Sequence, residues 1–364
     1  MAPVIRALEG APDFTPIVVS TGQHREMLDQ VAQLFGIRID HELSVMVPNQ
    51  GLAGLTARLL TGCEELLGKL RPDFALVQGD TTSVLAAALA CFYQRIPLGH
   101  VEAGLRTFDR WSPFPEEINR SLATRLATLH FAPTNLARDH LLAEGVADRD
   151  IAVTGNTVID ALMAEVARQA SPMVRAEIDA RLASVLGPTA LERPIVLITG
   201  HRRENFGAGF DEICSGLAEL GQRFPDHDFI YPVHLNPNVR GPVHARLGDI
   251  PNIRLIPPQA YSEFVALMQA CRIVLTDSGG IQEEAPSLGK PVLVMRDTTE
   301  RPEGVSAGTV KLVGPHTEPI VEQASRLLRD PQAYTAMAQA ANPYGDGHAA
   351  ARIVERLREY LRST

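Results

Sequence analysis

The chain has 364 residues, of which 45% are hydrophobic and 21% are charged, and its formal net charge is -9. This length exceeds the size at which a single core usually keeps growing, so two domains are expected. The composition is typical of a globular protein and excludes a disordered chain. The negative charge opposes non-specific binding to nucleic acid or to an anionic membrane, so a bound anion must be held by local groups.

The sequence predicts a cytoplasmic protein. The first 14 residues lack a basic region followed by an apolar run, and no segment approaches the roughly 18 apolar residues that a membrane helix needs. Cys63, Cys91, Cys214 and Cys271 lie far apart, with no C-x-x-C pair and no histidine at metal-ligand spacing. They are interpreted as buried thiols in a reducing compartment, and no metal site is expected.

Short apolar runs alternate with amphipathic segments, the pattern of parallel sheets covered by helices. In the first half, strands are predicted at residues 17–20, 74–78, 97–101, 130–132 and 151–154, and helices at 24–34, 51–70, 82–93, 115–129 and 136–144. In the second half, strands are predicted at 195–199, 228–233, 253–256, 273–276, 291–295 and 310–313, and helices at 210–223, 262–270, 281–288, 318–328 and 349–361.

A polar stretch at residues 167–193, containing Gly187-Pro188, predicts a linker between two domains. The first domain then covers residues 1–166 together with a returning helix at 349–364, and the second covers 194–348. The expected fold class is α/β, with two Rossmann-like doubly wound parallel-sheet domains. Ligands of such sheets bind at the carboxyl ends of the strands, so the residues that follow each strand are the candidates for function.

The sharpest local signal follows the strand that ends near residue 276. Ser278 offers a hydroxyl, Gly279 and Gly280 let a ligand approach the backbone, and the next helix begins with free N–H groups, an arrangement that suits an anion. Glu284, one turn further on, can accept hydrogen bonds from ribose hydroxyls. The alternative is a tight strand-to-helix turn in which Ser278 is only a cap.

A basic loop, with His201, Arg202 and Arg203, follows the first strand of the second domain. Guanidinium groups present paired donors and histidine can share a proton, so this loop suits a diphosphate. The alternative is a solvated basic loop whose histidine is satisfied locally.

Carboxylates stand at corresponding places in the first domain. Asp80 and Glu102 each follow a predicted strand, and Glu116 opens a predicted helix. Neighbouring carboxylates in a partly dry site raise one another's pKa, so that one can hold a proton while another is ionised. For each there is an alternative: Asp80 caps a helix, Glu102 pairs with Arg106, or Glu116 only favours the helix dipole.

In order along the chain, these segments resemble the non-hydrolysing UDP-N-acetylglucosamine 2-epimerases. The likeness covers nearly the whole chain and is carried by QHREML (23–28), GDTT (79–82), HVEAGLRT (100–107), PEEINR (115–120), GNTVID (155–160), GHRRE (200–204), DSGGIQEEAP (277–286), RDTTERPE (296–303) and NPYGDG (342–347). The resemblance implies a glycosyltransferase-B type fold and usually a homodimer.

By this resemblance, Asp80, Glu102 and Glu116 fall on the family's acid and base carboxylates, and His201 falls on its essential histidine beside the diphosphate. Ser278 and Glu284 fall on its UDP contacts. Some members also bind UDP-N-acetylglucosamine at a regulatory site, near the positions of Gln23, His24 and Gln50 here; whether this chain does so is open.

Two departures from the family pattern are notable. Phe108 stands where the family commonly has glycine. Family members open with a strand and a Gly-Thr-Arg-Pro-Glu loop, whereas Met1 to Arg6 here correspond to the helix that comes next. We therefore expect Met1 to be an internal methionine of a longer natural chain, and the short chain to lack a central strand and a basic loop of the site.

The expected reaction is reversible inversion at carbon 2 between UDP-N-acetylglucosamine and UDP-N-acetylmannosamine, without a cofactor. No strand is followed by a G-x-G-x-x-G nicotinamide motif, so elimination and re-addition of UDP is favoured over transient oxidation. The alternatives are a glycosyltransferase of the same fold, a hydrolysing 2-epimerase that releases free sugar, and a nucleotide-sugar-binding regulator without catalysis.

Overall fold

A computed structural model describes the chain apart from residues 23–24, 48–49, 189–190, 201, 203–204, 206 and 364, and apart from the side chains of residues 25–27. The chain forms two compact units. The first consists of Met1–Ala161 with Gly345–Thr364, and the second of Leu162–Tyr344.

The elements alternate as the sequence predicts. The strands are β1 (Val19–Ser20), β2 (His41–Glu42), β3 (Ala75–Gln78), β4 (Leu98–Val101), β5 (Leu129–Ala132), β6 (Ile151–Val153), β7 (Ile195–Thr199), β8 (Asp228–Pro232), β9 (Ile253–Ile256), β10 (Cys271–Thr276), β11 (Val292–Val294) and β12 (Val310–Leu312). The helices are α1 (Ala2–Glu9), α2 (Arg25–Phe35), α3 (Leu52–Leu70), α4 (Thr82–Tyr93), α5 (Glu116–Leu126), α6 (Asn135–Ala143), α7 (Thr157–Gln169), α8 (Pro172–Leu186), α9 (Ala208–Arg223), α10 (Pro237–Leu247), α11 (Tyr261–Ala270), α12 (Gly279–Ser287), α13 (Pro302–Ala307), α14 (Thr317–Arg329), α15 (Pro331–Ala338) and α16 (Ala349–Ser363).

The strands of the first unit form two parallel sheets rather than one. β3, β4, β5 and β6 pair in chain order, while β1 pairs with β2 over two residues each. No ladder joins β1 to β3 in the described part of the chain, so both are edge strands. The parallel arrangement brings the carboxyl ends of β3 and β4 to one edge, where Asp80 and Glu102 follow them.

The C-terminal helix α16 packs against the four-stranded sheet of the first unit. Ile353 and Leu357 share a buried cluster with Val101 and Phe131 of that sheet. The N-terminus of α16 is capped by Asp160, whose carboxylate accepts hydrogen bonds from the first two backbone N–H groups of the helix at 3.1 and 2.8 Å. The GNTVID segment therefore has a structural function in this unit.

The second unit is a doubly wound α/β domain. Its six strands are all parallel and lie in the order β12-β11-β10-β7-β8-β9, the Rossmann order. The strand residues of β7 and β10 are almost entirely buried, and helices cover both faces of the sheet with separate apolar clusters. The strand order reverses between β7 and β10, which is the place where such sheets bind ligands.

The segment expected to be a linker, residues 167–193, is largely helical. It contains the end of α7 and all of α8, and it lies within the second unit. Ile178 and Leu182 of α8 are fully buried in the core of that unit, which is why the helix does not behave as a linker. The helix predicted at 115–129 ends at Leu126, because β5 already begins at Leu129.

The four cysteines are free and buried, as the sequence predicts. Among the helices that the structure describes, none combines the length and the apolar character required to span a bilayer.

Candidate functional site

In the second unit, the turn from β10 to α12 presents a helix N-terminus at the strand-order reversal. Ser278 is the N-cap residue of α12, but its side chain makes no capping hydrogen bond within the described chain. Its backbone N–H instead donates to the Thr276 hydroxyl at 2.9 Å. Among the described residues the Ser278 hydroxyl is thus not used for capping, and this hydroxyl and the first N–H groups of α12 together suit an anion.

An arginine that sequence reasoning missed lies against this turn. A Cβ atom added to Gly279 would be 2.5 Å from a guanidinium nitrogen of Arg301, so only glycine allows this close approach. Arg301 is held by an ion pair with Glu283, which is almost fully buried. The guanidinium adds a fixed positive charge beside the helix N-terminus, which strengthens the site for a phosphate.

Glu284 is buried one turn into α12, with 7% of its surface exposed. The Tyr261 hydroxyl donates to its Oε1 atom at 2.9 Å, and a Cβ on Gly280 would lie 4.0 Å from its Oε2 atom. Burial raises the pKa of the Glu284 carboxyl to about 7, although the Tyr261 hydrogen bond lowers it and Glu283 raises it further. The carboxylate is thus a poorly solvated acceptor that gains from any further donor.

The basic loop after β7 is attached to the same turn by Asp277. The Asp277 carboxylate is fully buried, and its Oδ2 atom accepts a hydrogen bond from the backbone N–H of Arg202 at 2.8 Å. The Asn205 amide lies 3.5 Å from the same oxygen and donates to the Met295 carbonyl at 3.2 Å. Arg202 of the basic loop and the turn after β10 are therefore neighbours in the second unit.

A second anchor of the basic loop is Tyr231. Its buried hydroxyl donates to the Gly200 carbonyl oxygen at 2.9 Å, and a Cβ on Gly200 would lie 3.0 Å from that hydroxyl. The residue before His201 is thereby fixed, while His201 itself lies outside the described residues, as does Arg203. Tyr231 gave no sequence signal because it reaches this loop from β8, across the sheet.

In the first unit, Asp80 is one of the carboxylates that the sequence singled out. Its side chain is 30% exposed, and Oδ2 lies 3.3 Å from a guanidinium nitrogen of Arg120, while its backbone carbonyl accepts from the Asn119 amide at 2.9 Å. The cap of α4 is Thr81, whose hydroxyl accepts from the Val84 N–H at 3.4 Å. The N-cap residue of α4 is therefore Thr81 and not Asp80.

Glu102 follows β4 in a strained conformation. Its φ angle is +65°, which L-residues rarely adopt and which is found most often where function requires it. The Gln78 amide lies 3.4 Å from its Oε2 atom. The expected alternative partner, Arg106, instead binds Glu144 through two hydrogen bonds of 2.6 and 2.9 Å, so the pairing with Glu102 is wrong.

Glu116 and Glu117 begin α5 but differ in their surroundings. Glu116 is half-buried, and as the first residue of α5 it also favours the helix dipole. Glu117 is buried and accepts hydrogen bonds from the backbone N–H groups of Thr107 and Phe108 at 3.1 and 3.0 Å, with Arg120 at 3.5 Å. The Glu117 carboxylate therefore holds the loop after β4. Of the two, Glu116 is the candidate for acid or base chemistry.

The structure brings the three candidate acids of the first unit into one region. A Cβ on Gly79 would lie 3.9 Å from Oε2 of Glu102, so the loop that carries Asp80 adjoins that carboxylate. Arg120 connects Asp80 to the helix that begins at Glu116.

Phe108 adopts a φ angle of +62° and is 72% exposed, with its ring edge-on to His140 at 5.1 Å. A left-handed backbone at this position is the conformation that glycine adopts without strain. Gln50, of the expected regulatory site, hydrogen-bonds Arg58 and Met46, whereas Gln23 and His24 lie outside the described residues.

This geometry defines an α/β protein with a Rossmann unit, in which a turn suited to an anion lies at the strand-order reversal. A family model described as UDP-N-acetylglucosamine 2-epimerase matches residues 6–358. The chain is 55% identical over 359 residues to the UDP-N-acetylglucosamine 2-epimerase of Escherichia coli (strain K12), covering 98% of this chain and 94% of that protein. The chain belongs to the UDP-N-acetylglucosamine 2-epimerase family.

Solved structures agree with this assignment. The Neisseria meningitidis UDP-GlcNAc 2-epimerase bound to UDP-GlcNAc matches with a TM-score of 0.91 at 48% identity, covering 99% of this chain and 96% of that chain. The Methanocaldococcus jannaschii UDP-GlcNAc 2-epimerase in complex with UDP-GlcNAc and UDP matches with a TM-score of 0.81 at 32% identity, covering 98% of this chain and 95% of that chain. The predicted fold class, parallel α/β sheets in two domains of glycosyltransferase-B type, is confirmed.

Proposed function

We propose that this protein interconverts UDP-N-acetylglucosamine and UDP-N-acetylmannosamine by inverting carbon 2, without releasing free sugar. The observation that carries the proposal is the anion site of the second unit, in which the N-terminus of α12, Arg301 and the anchored basic loop surround one turn. Family membership and the bound ligands named for the relatives support the same substrate.

The second unit supplies the groups that hold a nucleotide diphosphate. Ser278 and the N–H groups of Gly279 and Gly280 bind phosphate oxygens, and Arg301 neutralises their charge. Glu284 accepts hydrogen bonds from the ribose hydroxyls. Arg202 belongs to the loop beside this turn. By the family resemblance, His201 and Arg202 stabilise the charge that develops on the departing diphosphate.

The first unit supplies the acids and bases. The hydrogen on carbon 2 is not next to a carbonyl carbon, so direct deprotonation and return would face a very high barrier. In an elimination, a carboxylate takes the proton, the C–H electron pair forms the double bond between carbons 1 and 2, and the bond from carbon 1 to oxygen breaks with its electrons leaving on UDP. Re-addition of UDP with protonation from the opposite face gives the epimer.

Inversion requires that the proton leave from one face of carbon 2 and return to the other, so two groups are needed. Asp80, Glu102 and Glu116 are half-buried carboxylates in one region; Asp80 lies 3.3 Å from the Arg120 guanidinium, and Glu102 lies 3.4 Å from the Gln78 amide. Such unlike surroundings separate the proton affinities of neighbouring carboxylates, as acid and base work requires.

The proposal includes a homodimer in the cytoplasm that needs no cofactor, and a regulatory substrate site near Gln23, His24 and Gln50. These parts rest on the family resemblance and, for the compartment, on the free buried cysteines. Light scattering on the purified chain tests the dimer, and a sigmoidal dependence of rate on substrate concentration tests the regulatory site.

Product analysis on UDP-N-acetylglucosamine alone tests the proposed reaction. Chromatography should show a second UDP sugar that accumulates until the two reach a constant ratio, with no free N-acetylmannosamine. Free sugar with stoichiometric UDP would identify a hydrolysing enzyme. Turnover that begins only after a sugar acceptor is added would identify a glycosyltransferase, and binding without any turnover would identify a regulator.

A further inference from the structure

The first unit contains a buried histidine close to its candidate carboxylates that has no role in the proposed reaction. His100, in β4, is fully buried, and its Nε2 atom lies 2.7 Å from the Gly79 carbonyl oxygen. Because a carbonyl oxygen only accepts, Nε2 carries the proton and donates. Its Nδ1 atom has no hydrogen-bond partner in the part of the chain that the structure describes. Burial lowers the pKa of His100 to about 4, so the ring is neutral at physiological pH and acts as a fixed donor.

The group that His100 holds is the residue directly before Asp80. Gly79 has a φ angle of +82°, so the chain turns sharply there, and its own N–H donates to the Val101 carbonyl at 3.1 Å. Both backbone hydrogen-bonding groups of Gly79 are thus bound to β4, one through the strand and one through the His100 side chain. β4 is also the strand that ends at Glu102.

We propose that His100 is a positioning residue, which fixes the Asp80 carboxylate relative to Glu102 by holding the Gly79 carbonyl. The inference rests on the proposed function, which makes these carboxylates the acid and base groups. Removing the donor leaves the Gly79 carbonyl without its hydrogen bond to β4, so the peptide between Gly79 and Asp80 gains freedom to rotate and the Asp80 side chain moves with it. A displacement of about 1 Å at a reacting group costs roughly a hundredfold in rate.

The neighbouring strand offers a matched control. His130 in β5 is the register partner of His100, is 3% exposed, and has a pKa that burial likewise lowers to about 4. Its Nδ1 atom also has no partner among the described residues. If both histidines were only core residues, replacing either one should change activity to a similar extent. If His100 positions Asp80, only its replacement should lower the rate.

The test uses the full chain with His100→Phe, which removes the donor, His100→Gln, which can keep one, and His130→Phe as the control. Steady-state kinetics and the Kd for UDP are measured, together with amide hydrogen exchange of residues 78–83. We expect His100→Phe to lower kcat about 10- to 100-fold, with KM and the UDP Kd changed less than about twofold. In His100→Phe, amide exchange of the Asp80 loop should accelerate. His100→Gln should recover most of kcat. His130→Phe should neither lower kcat nor accelerate exchange of the loop.

Normal kcat and normal loop exchange in His100→Phe would overturn the inference, as would equal losses in His130→Phe. If His100→Phe does not fold, His100→Leu replaces it as the variant without a donor. If the unaltered protein does not epimerise UDP-N-acetylglucosamine, the proposed function fails. The exchange measurement then still decides whether His100 holds the loop, and unchanged exchange in His100→Phe would overturn the inference about His100.

Discussion

Replacing Glu284 by glutamine should stabilise the unliganded protein at and above neutral pH while weakening its binding of UDP. The Glu284 carboxyl is buried beside Glu283, and burial raises its pKa from 4.5 to about 7. Its ionised form is therefore less stable in the folded chain than in the unfolded chain. Since one pKa unit corresponds to 1.36 kcal/mol, this difference destabilises the folded protein by about 3 kcal/mol once the carboxyl is ionised.

The sign and the pH window follow from the raised pKa. Between pH 4.5 and about 7 the folded state binds the extra proton, so the stability associated with protonated Glu284 is present below pH 4.5 and is lost as the pH rises through 7. Glutamine keeps the size of the side chain and an acceptor for the Tyr261 hydroxyl, but it never ionises. The advantage of the variant over the unaltered protein should thus grow from near zero at pH 4.5 to about 3 kcal/mol at pH 8.

Urea unfolding of the unliganded protein at several pH values measures this difference, with Glu322→Gln, on the exposed side of α14, as the control. Glu322 is solvent-exposed, so its replacement should give no such trend. The affinity for UDP should move the other way, falling by about tenfold in Glu284→Gln at pH 8 through the loss of a charge-assisted acceptor. An advantage of Glu284→Gln that does not change with pH would refute the reasoning about burial.

Three further outcomes are expected. Asp80→Asn, Glu102→Gln and Glu116→Gln should each lower kcat by roughly a hundredfold or more with the Kd for UDP unchanged, and near-normal rates in all three would return them to structural roles. Ser278→Ala should weaken UDP binding by about tenfold in calorimetry, and an unchanged Kd would remove the hydroxyl from the site. Glu117→Gln should lower the free energy of unfolding by about 1–3 kcal/mol, because one of two backbone N–H groups loses its acceptor; equal urea midpoints would contradict that role.

Much of the second unit could be predicted because its central strands are buried on both faces. The continuous apolar run of β7 is recognisable in the sequence, and the predicted bounds of β7 agree with the structure. The sequence predicts no helix at α10, because Pro237 and Pro242 interrupt its pattern. It predicts a linker where α8 lies, because only Ile178 and Leu182 of the fifteen residues of this helix are buried. In the first unit, β2 consists of two exposed residues, which leave no periodic signal.

Some residues of the candidate site could be predicted from the sequence and others could not. Asp80, Glu102 and Ser278 follow directly on strands, a place that sequence patterns identify. Arg301 and Tyr261 come to the site through packing between distant elements, and nothing in their own segments indicates which backbone or carboxylate they will meet. The positive φ angle of Glu102 likewise has no signal in the local sequence.

The most direct test of the central claim is the reaction in deuterium oxide, followed by proton NMR of both UDP sugars. An acid and a base on opposite faces of carbon 2 predict UDP-N-acetylmannosamine that carries deuterium at carbon 2 and nowhere else, with no free sugar, because the returning hydron comes from a group that exchanges with solvent. UDP-N-acetylmannosamine that forms with protium at carbon 2 would contradict two separate groups acting on that carbon.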